Sequence, residues 1–212
     1  MSEPLAYLTV AGPTQAAIEV RRSRFVCELD RVEDEDAARA AIEQVRSTSR
    51  DARHHCTAFI LGPDGATRRS NDDGEPTGTA GAPMLAVLRG AELTNVLAVV
   101  TRWFGGVLLG TGGLIRAYGE AVQSAVAAAH LVRVELREVL TIVVGPAEAA
   151  RVENAIRDAG LPVTAQWSAE AVHLRTAVAP DAVDALRTTV ARLTSGRVEL
   201  AMAGPTWVDQ PP

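Results

Sequence analysis

Two rhythms run along the chain, apolar positions at period two and at period 3.6, and each marks a different kind of element. Leu5 to Val10 opens as a strand, and Ile18 to Val32 reads as one long strand crowded with Arg21, Arg22 and Arg24. The acidic run Glu33 to Asp36 suits the first turn of a helix, where negative charge is favoured; Ala38, Ala41, Ile42 and Val45 follow at helical spacing. A strand from His55 to Leu61 turns through Gly62-Pro63-Asp64-Gly65 into a second at Ala66 to Ser70. Asn71 to Pro83 is too rich in turn residues to be regular, and Pro83 to Arg89 predicts a short helix. Asn95 to Thr101 is a continuous apolar run, the mark of a strand buried on both faces. Further on, Leu114, Ile115, Tyr118, Ala121, Val122, Ala125, Val126 and Ala129 form one wide apolar helical face.

From about Glu135 the order becomes strand, helix, strand, strand, helix, strand. Val139 to Val144 is apolar, and Pro146 sits where a helix tolerates proline. That helix is expected to bury Ala149, Val152, Ile156 and Ala159 and to stop at Gly160. Strands at Val163 to Gln166 and Val172 to Val178 precede a helix opened by Pro180-Asp181, with Val183, Leu186, Val190 and Leu193 as its stripe. Val198 to Met202 closes a βαββαβ unit, the ferredoxin-like order. The chain is therefore read as a two-domain α/β (α+β) protein: residues 1–134, a ferredoxin-like unit 135–205, and a loose tail 206–212.

Composition narrows the chemistry. The net charge is −5 and all 21 basic residues are arginine, so a lysine-dependent phosphate loop and Schiff-base chemistry are excluded. Cys27 and Cys56 are too few for a disulfide framework. No apolar run approaches the roughly 18 residues of a membrane span, and the N-terminus lacks the pattern of a signal peptide. A cytoplasmic protein with no membrane partner is expected.

The candidate site centres on RWFGGVLLGTGG, residues 102 to 113, with five glycines between Gly105 and Gly113. Such a loop opening a helix serves either close packing or an anion held by backbone N–H groups. On the second reading Arg102, Gly105, Gly106, Gly110, Gly112, Gly113 and Arg116 contact phosphate; on the first, the arginines pair with Asp72, Asp73 or Glu75. Trp103 and Phe104 are read as core more readily than as base-stacking groups. His54 and His55 alternate faces and are cleft candidates; the residues leave open which of them contacts phosphate or moves a proton, or whether it is a half-buried histidine satisfied by backbone. Asp72, Asp73, Glu75 and Thr77 complete the cleft candidates. The three carboxylates admit a magnesium ion but equally a helix cap or an arginine pair. No other metal site and no further cofactor are expected, and no nucleophile with an activating base emerges.

Three stretches carry a family resemblance: SRFVCEL (Ser23 to Leu29), DDGEPTGTAGAP (Asp72 to Pro83) and RWFGGVLLGTGGLIRAYGEA (Arg102 to Ala121). They resemble the IMPACT family, in its bacterial YigZ branch. The resemblance implies a first domain like elongation factor G domain IV, with an unusual left-handed βαβ crossover, and a second like elongation factor G domain V. Eukaryotic members are linked to translational control through a separate RWD domain, which this chain is not expected to carry. The expected function is translation-related regulation by binding RNA or the ribosome through the glycine loop. The alternatives are an enzyme acting on a nucleotide or phosphorylated small molecule in the same cleft, and a protein-interaction adaptor. Whether there is any catalysis stays open at this point.

Overall fold

The structure, a computed structural model, describes residues 4–210. Those residues separate into two compact units, the first running to Val134 and the second spanning Glu135–Asp209.

The first unit begins with β1 (Ala6–Val10), β2 (Thr14–Val20), β3 (Ser23–Arg31) and α1 (Glu35–Thr48). It continues with β4 (His54–Leu61), β5 (Thr67–Asn71), α2 (Gly81–Gly90), β6 (Val96–Trp103) and α3 (Thr111–Ala128). Its sheet has the order β2-β3-β6-β4-β5, with antiparallel neighbours throughout. β6 is central and apolar on both faces because both are covered. Val96, Ala98 and Val100 join Phe25, Cys27, Met84, Leu88, Leu114 and Tyr118 in the core beneath α2 and α3. Leu97 and Val99 join Val32, Ala38, Val45 and Leu61 beneath α1. The acidic start of α1 works as a cap, with the Asp34 carboxylate accepting from the Ala37 N–H at 2.7 Å.

The stretch Ile18 to Val32 is not one strand. It is a hairpin whose register pairs Val20 with Ser23 and leaves Arg21-Arg22 as a two-residue turn. Both arginines have positive φ, 47° and 67°. Such a turn ordinarily uses Asn-Gly or Asp-Gly, because left-handed backbone costs other residues on the order of 1 kcal/mol each. With no turn residue in the sequence, the alternation ran on unbroken. Ile115, assigned to the apolar face of α3, is 44 % exposed. α2 begins two residues earlier than expected, at Gly81.

The second unit is built from β7 (Leu131–Val144), which starts before the boundary, then α4 (Pro146–Asp158), β8 (Val163–Trp167) and β9 (Val172–Val178). α5 (Val183–Thr194), entered through a short 3-10 turn at Pro180–Ala182, and β10 (Leu200–Gln210) complete it. β9 lies antiparallel between β7 and β8, and β10 pairs with β7. With this chain order, that is the ferredoxin-like sheet. Leu140, Ile142, Val152, Ile156, Leu174, Leu186 and Val190 form its core. Two expectations are corrected. Ala159 is exposed because the helix has already ended at Asp158. Residues 206–210 are not a loose tail but the last part of β10, a strand that pairs with β7. β10 has β7 as its one neighbour, an edge position that tolerates Pro205. Residues 211–212 of the expected tail lie outside the described ones. Among the described residues, no helix is long and apolar enough to cross a membrane.

Candidate functional site

One end of the first unit's sheet gathers every stretch singled out in the sequence. The register places His54 opposite Arg102, and Arg24 opposite Trp103. The β2–β3 turn, the start of β4 and the β6–α3 loop therefore meet at that end. The 72–80 segment joins them through side-chain bonds.

Arg102 is not a solvent-facing phosphate ligand. It shares a sheet face with Val100 and Ala98, and its side chain is 7 % exposed beside a Glu75 side chain at 4 %. Nη1 donates to Glu75 Oε1 at 2.6 Å, and the Tyr118 hydroxyl donates to the same oxygen at 2.8 Å. The guanidinium lies 5.4 Å from the Phe25 ring centroid and 5.6 Å from that of Phe104. Phe25 in turn packs edge-on against Tyr118, at 5.2 Å. The arginine reading that pairs it with a loop carboxylate is the one observed. Burial pushes the Tyr118 phenol far up, with Cys56 and Glu75 adding to it, so the hydroxyl stays a proton donor. Tyr118 was placed on an apolar helix face; a phenol so deeply buried needs a partner for its OH, which was the available signal.

Gly105 is a packing glycine. A Cβ there would fall 2.0 Å from the carbonyl carbon and oxygen of Arg22, and its N–H is already bonded to Ser23 Oγ at 3.1 Å. The loop thus touches the arginine turn through a position where no side chain fits. Gly106 and Gly110 have φ of 83° and 72° and open space around them. Gly110 is the N-cap of α3 and offers no capping side chain. The first helical bond runs from the Leu114 N–H to the Gly110 carbonyl, 2.9 Å, so the N–H groups of Thr111, Gly112 and Gly113 have no acceptor within the helix. Arg116 is exposed on the next turn, and no carboxylate pairs with it among the described residues. Phe104, expected in the core, is 49 % exposed, because the chain leaves the sheet at Trp103. Trp103 is half-buried, its indole N–H donating to Asp51 at 2.8 Å and its ring lying 5.4 Å from the Arg24 guanidinium carbon.

The acidic cleft candidates diverge. Asp72 accepts from the N–H groups of Gly78, Ala80 and Gly81 at 2.8, 3.0 and 2.8 Å and so caps α2. Burial works against its charge, but these bonds outweigh it and hold the carboxyl below its usual range. Asp73 accepts from Arg46 Nη2 at 2.9 Å and from the His55 N–H at 2.7 Å. With Glu75 committed to Arg102, the three carboxylates each serve a different partner. Among the described residues, no group of three His, Cys, Asp or Glu side chains converges as metal ligands would. Thr77 is exposed.

His54 faces the loop, with Nδ1 2.9 Å from the Asp73 carbonyl oxygen. His55 faces the α1 side, buried, with Nδ1 3.1 Å from Thr101 Oγ1. Burial lowers the His55 pKa, partly opposed by the Asp73 carboxylate. Cys56 donates to the Asp72 carbonyl at 3.0 Å, and burial pushes its thiol up to about 12. It is no nucleophile in this state.

An α/β domain with this buried cluster, followed by a ferredoxin-like unit, defines a two-domain architecture shared with known proteins. The Impact N-terminal domain profile matches residues 21–126. The chain is 33 % identical over 205 residues to the IMPACT family member YvyE of Bacillus subtilis, covering 97 % of this chain and 94 % of that protein. It is 47 % identical over 122 residues to the IMPACT family member YigZ of Escherichia coli, covering 57 % of this chain and 60 % of that protein. The crystal structure of a hypothetical protein, 34 % identical, superposes with a TM-score of 0.65 over 93 % of this chain and 97 % of that one. This chain belongs to the IMPACT family.

Proposed function

We propose that the protein acts in translation-related regulation by binding RNA, free or on the ribosome, through the β6–α3 loop. The observation that carries this reading is the start of α3. An 18-residue helix opens at glycines with no capping side chain, and Arg116 stands exposed one turn on without a carboxylate partner. Bare N–H groups, the positive end of the helix dipole and a guanidinium together suit a phosphate oxygen. Arg102 supports the loop from beneath and does not touch the ligand. Because the chain carries a net charge of −5, contact has to be local, with few phosphates neutralised.

The test is binding of a labelled RNA across a salt series. Arg116→Ala should weaken binding about tenfold and flatten the salt dependence by about one phosphate contact. Unchanged binding in the folded variant removes the loop from the interface. Stabilisation by a mononucleotide with no RNA affinity would favour the enzyme alternative instead.

A further inference from the structure

The β2–β3 turn has a property that its structural role does not require. A two-residue hairpin turn of type I′ needs left-handed backbone at both positions, and here both are arginine, Arg21 at φ 47° and Arg22 at φ 67°. Asn-Gly would fill the same turn without strain. Both side chains are exposed, and no carboxylate pairs with either among the described residues. Arg24, by contrast, lies over the Trp103 ring, 5.4 Å from its centroid.

The turn is also tied to the glycine loop. The backbone of Gly105 lies against the Arg22 carbonyl so closely that a Cβ would fall 2.0 Å from it. Ser23, the first residue after the turn, accepts from the Gly105 N–H at 3.1 Å and lies 3.5 Å from Arg102 Nη2. Phe104 immediately precedes that contact, two residues on from Arg102 of the buried cluster. It is 49 % exposed, with the Arg102 guanidinium 5.6 Å from its ring centroid. Two unpaired guanidiniums and an aromatic ring backed by a buried cation therefore adjoin the first residues of the loop that leads to the open start of α3.

We infer that the Arg21-Arg22 turn is a second phosphate-contacting element, and that with Phe104 it makes this end of the sheet a clamp for single-stranded nucleic acid. Arginines bind successive phosphates, and an exposed ring stacks an unpaired base, which a duplex cannot offer. The strained turn persists because relaxing it to Asn-Gly would remove both charges. This inference rests on the RNA-binding reading above and names further residues and the strandedness of the ligand.

The test uses the full chain with a labelled 12-nucleotide oligouridylate and a 12-base-pair RNA duplex, measured across salt. The double variant Arg21→Asn/Arg22→Gly should melt about 5 °C or more above the parent, since left-handed strain is relieved. Its oligouridylate affinity should fall about tenfold or more, with the salt slope flattened by about 1.4, two single-strand phosphates. Phe104→Ala should weaken oligouridylate binding about fivefold or more with the slope unchanged, and the parent should bind the duplex more weakly than the single strand. Full affinity and slope in the double variant overturn the role of the turn; if Arg116→Ala still weakens binding, the broader reading stands without it. Loss in the turn variant but not in Arg116→Ala retains the turn and overturns the helix-start contact. A parent that binds the duplex as tightly overturns the single-strand assignment, and one that binds neither RNA at low salt overturns both readings together.

Discussion

Arg102 and Glu75 form a buried ion pair at 2.6 Å, between the centre of a sheet and a turn-rich loop. The pair joins β6 to the 72–80 segment, while Tyr118 brings α3 to the same carboxylate oxygen. Both charges are shielded from water, so either without the other is an uncompensated buried ion. Glu75→Gln should destabilise the protein by about 3–5 kcal/mol in urea titration. Replacing both partners, Glu75→Leu with Arg102→Met, should cost less than the sum of the two single changes. Additive effects would mean that the pair is not energetically coupled.

Glycines of the loop should split into two classes. Gly105→Ala forces a methyl group into the Arg22 peptide and should lower the melting temperature steeply, moving the hairpin turn as well. At Gly112, in the first turn of α3, a Cβ meets nothing within 4 Å. Gly112→Ala should hold or raise stability by up to about 1 kcal/mol, because alanine is the better helix former. Gly113→Ala is intermediate, since its methyl group would lie 3.0 Å from Leu109 Cβ and Leu109 must give way. Thermal melts of the three variants rank them directly, and a Gly105→Ala melt matching the parent would contradict the packing role.

Stability should fall on mild acidification. The folded-state pKa of His55 is lowered, mainly by burial, so the unfolded chain takes up its proton first, near about pH 6.5. The contribution is complete above that value and is lost as pH falls through the lower folded one. Urea denaturation from about pH 8 to 5 should show this decline in the parent and in His54→Gln, and a flatter curve in His55→Gln. A decline unaltered by His55→Gln assigns the pH dependence to another group.

The second unit should fold alone. Its core residues, from Leu140 to Leu200, all lie within the unit, so excision leaves that apolar cluster complete. A fragment of residues 135–212 should show one cooperative thermal transition, and a fragment without one would show that the unit depends on the rest of the chain.

Most of the elements are legible in the residues alone, because their signals are local. Alternation marks β9, helical stripes mark α1 and α5, and Pro146 and Gly160 bracket α4. The βαββαβ order follows from those signals, and the long glycine-patterned strings carry the family. The partners of the polar residues, by contrast, are set by long-range packing. Whether Arg102 meets solvent or Glu75 depends on which face of β6 is covered and on where a loop 27 residues away comes to rest. Asp72, Asp73 and Glu75 are neighbours in sequence, yet the path of the loop sends them to backbone N–H groups, to Arg46 and His55, and to Arg102. Gly105 is glycine because of Arg22, a residue brought to it by the register of β3 on β6. The arginine turn has no local signal, because left-handed backbone is read from Gly and Asn, and here arginines are held in it by the hairpin on either side. Periodicity is a property of neighbours along the chain, whereas a polar partner is chosen by sheet register and burial, which belong to the whole fold.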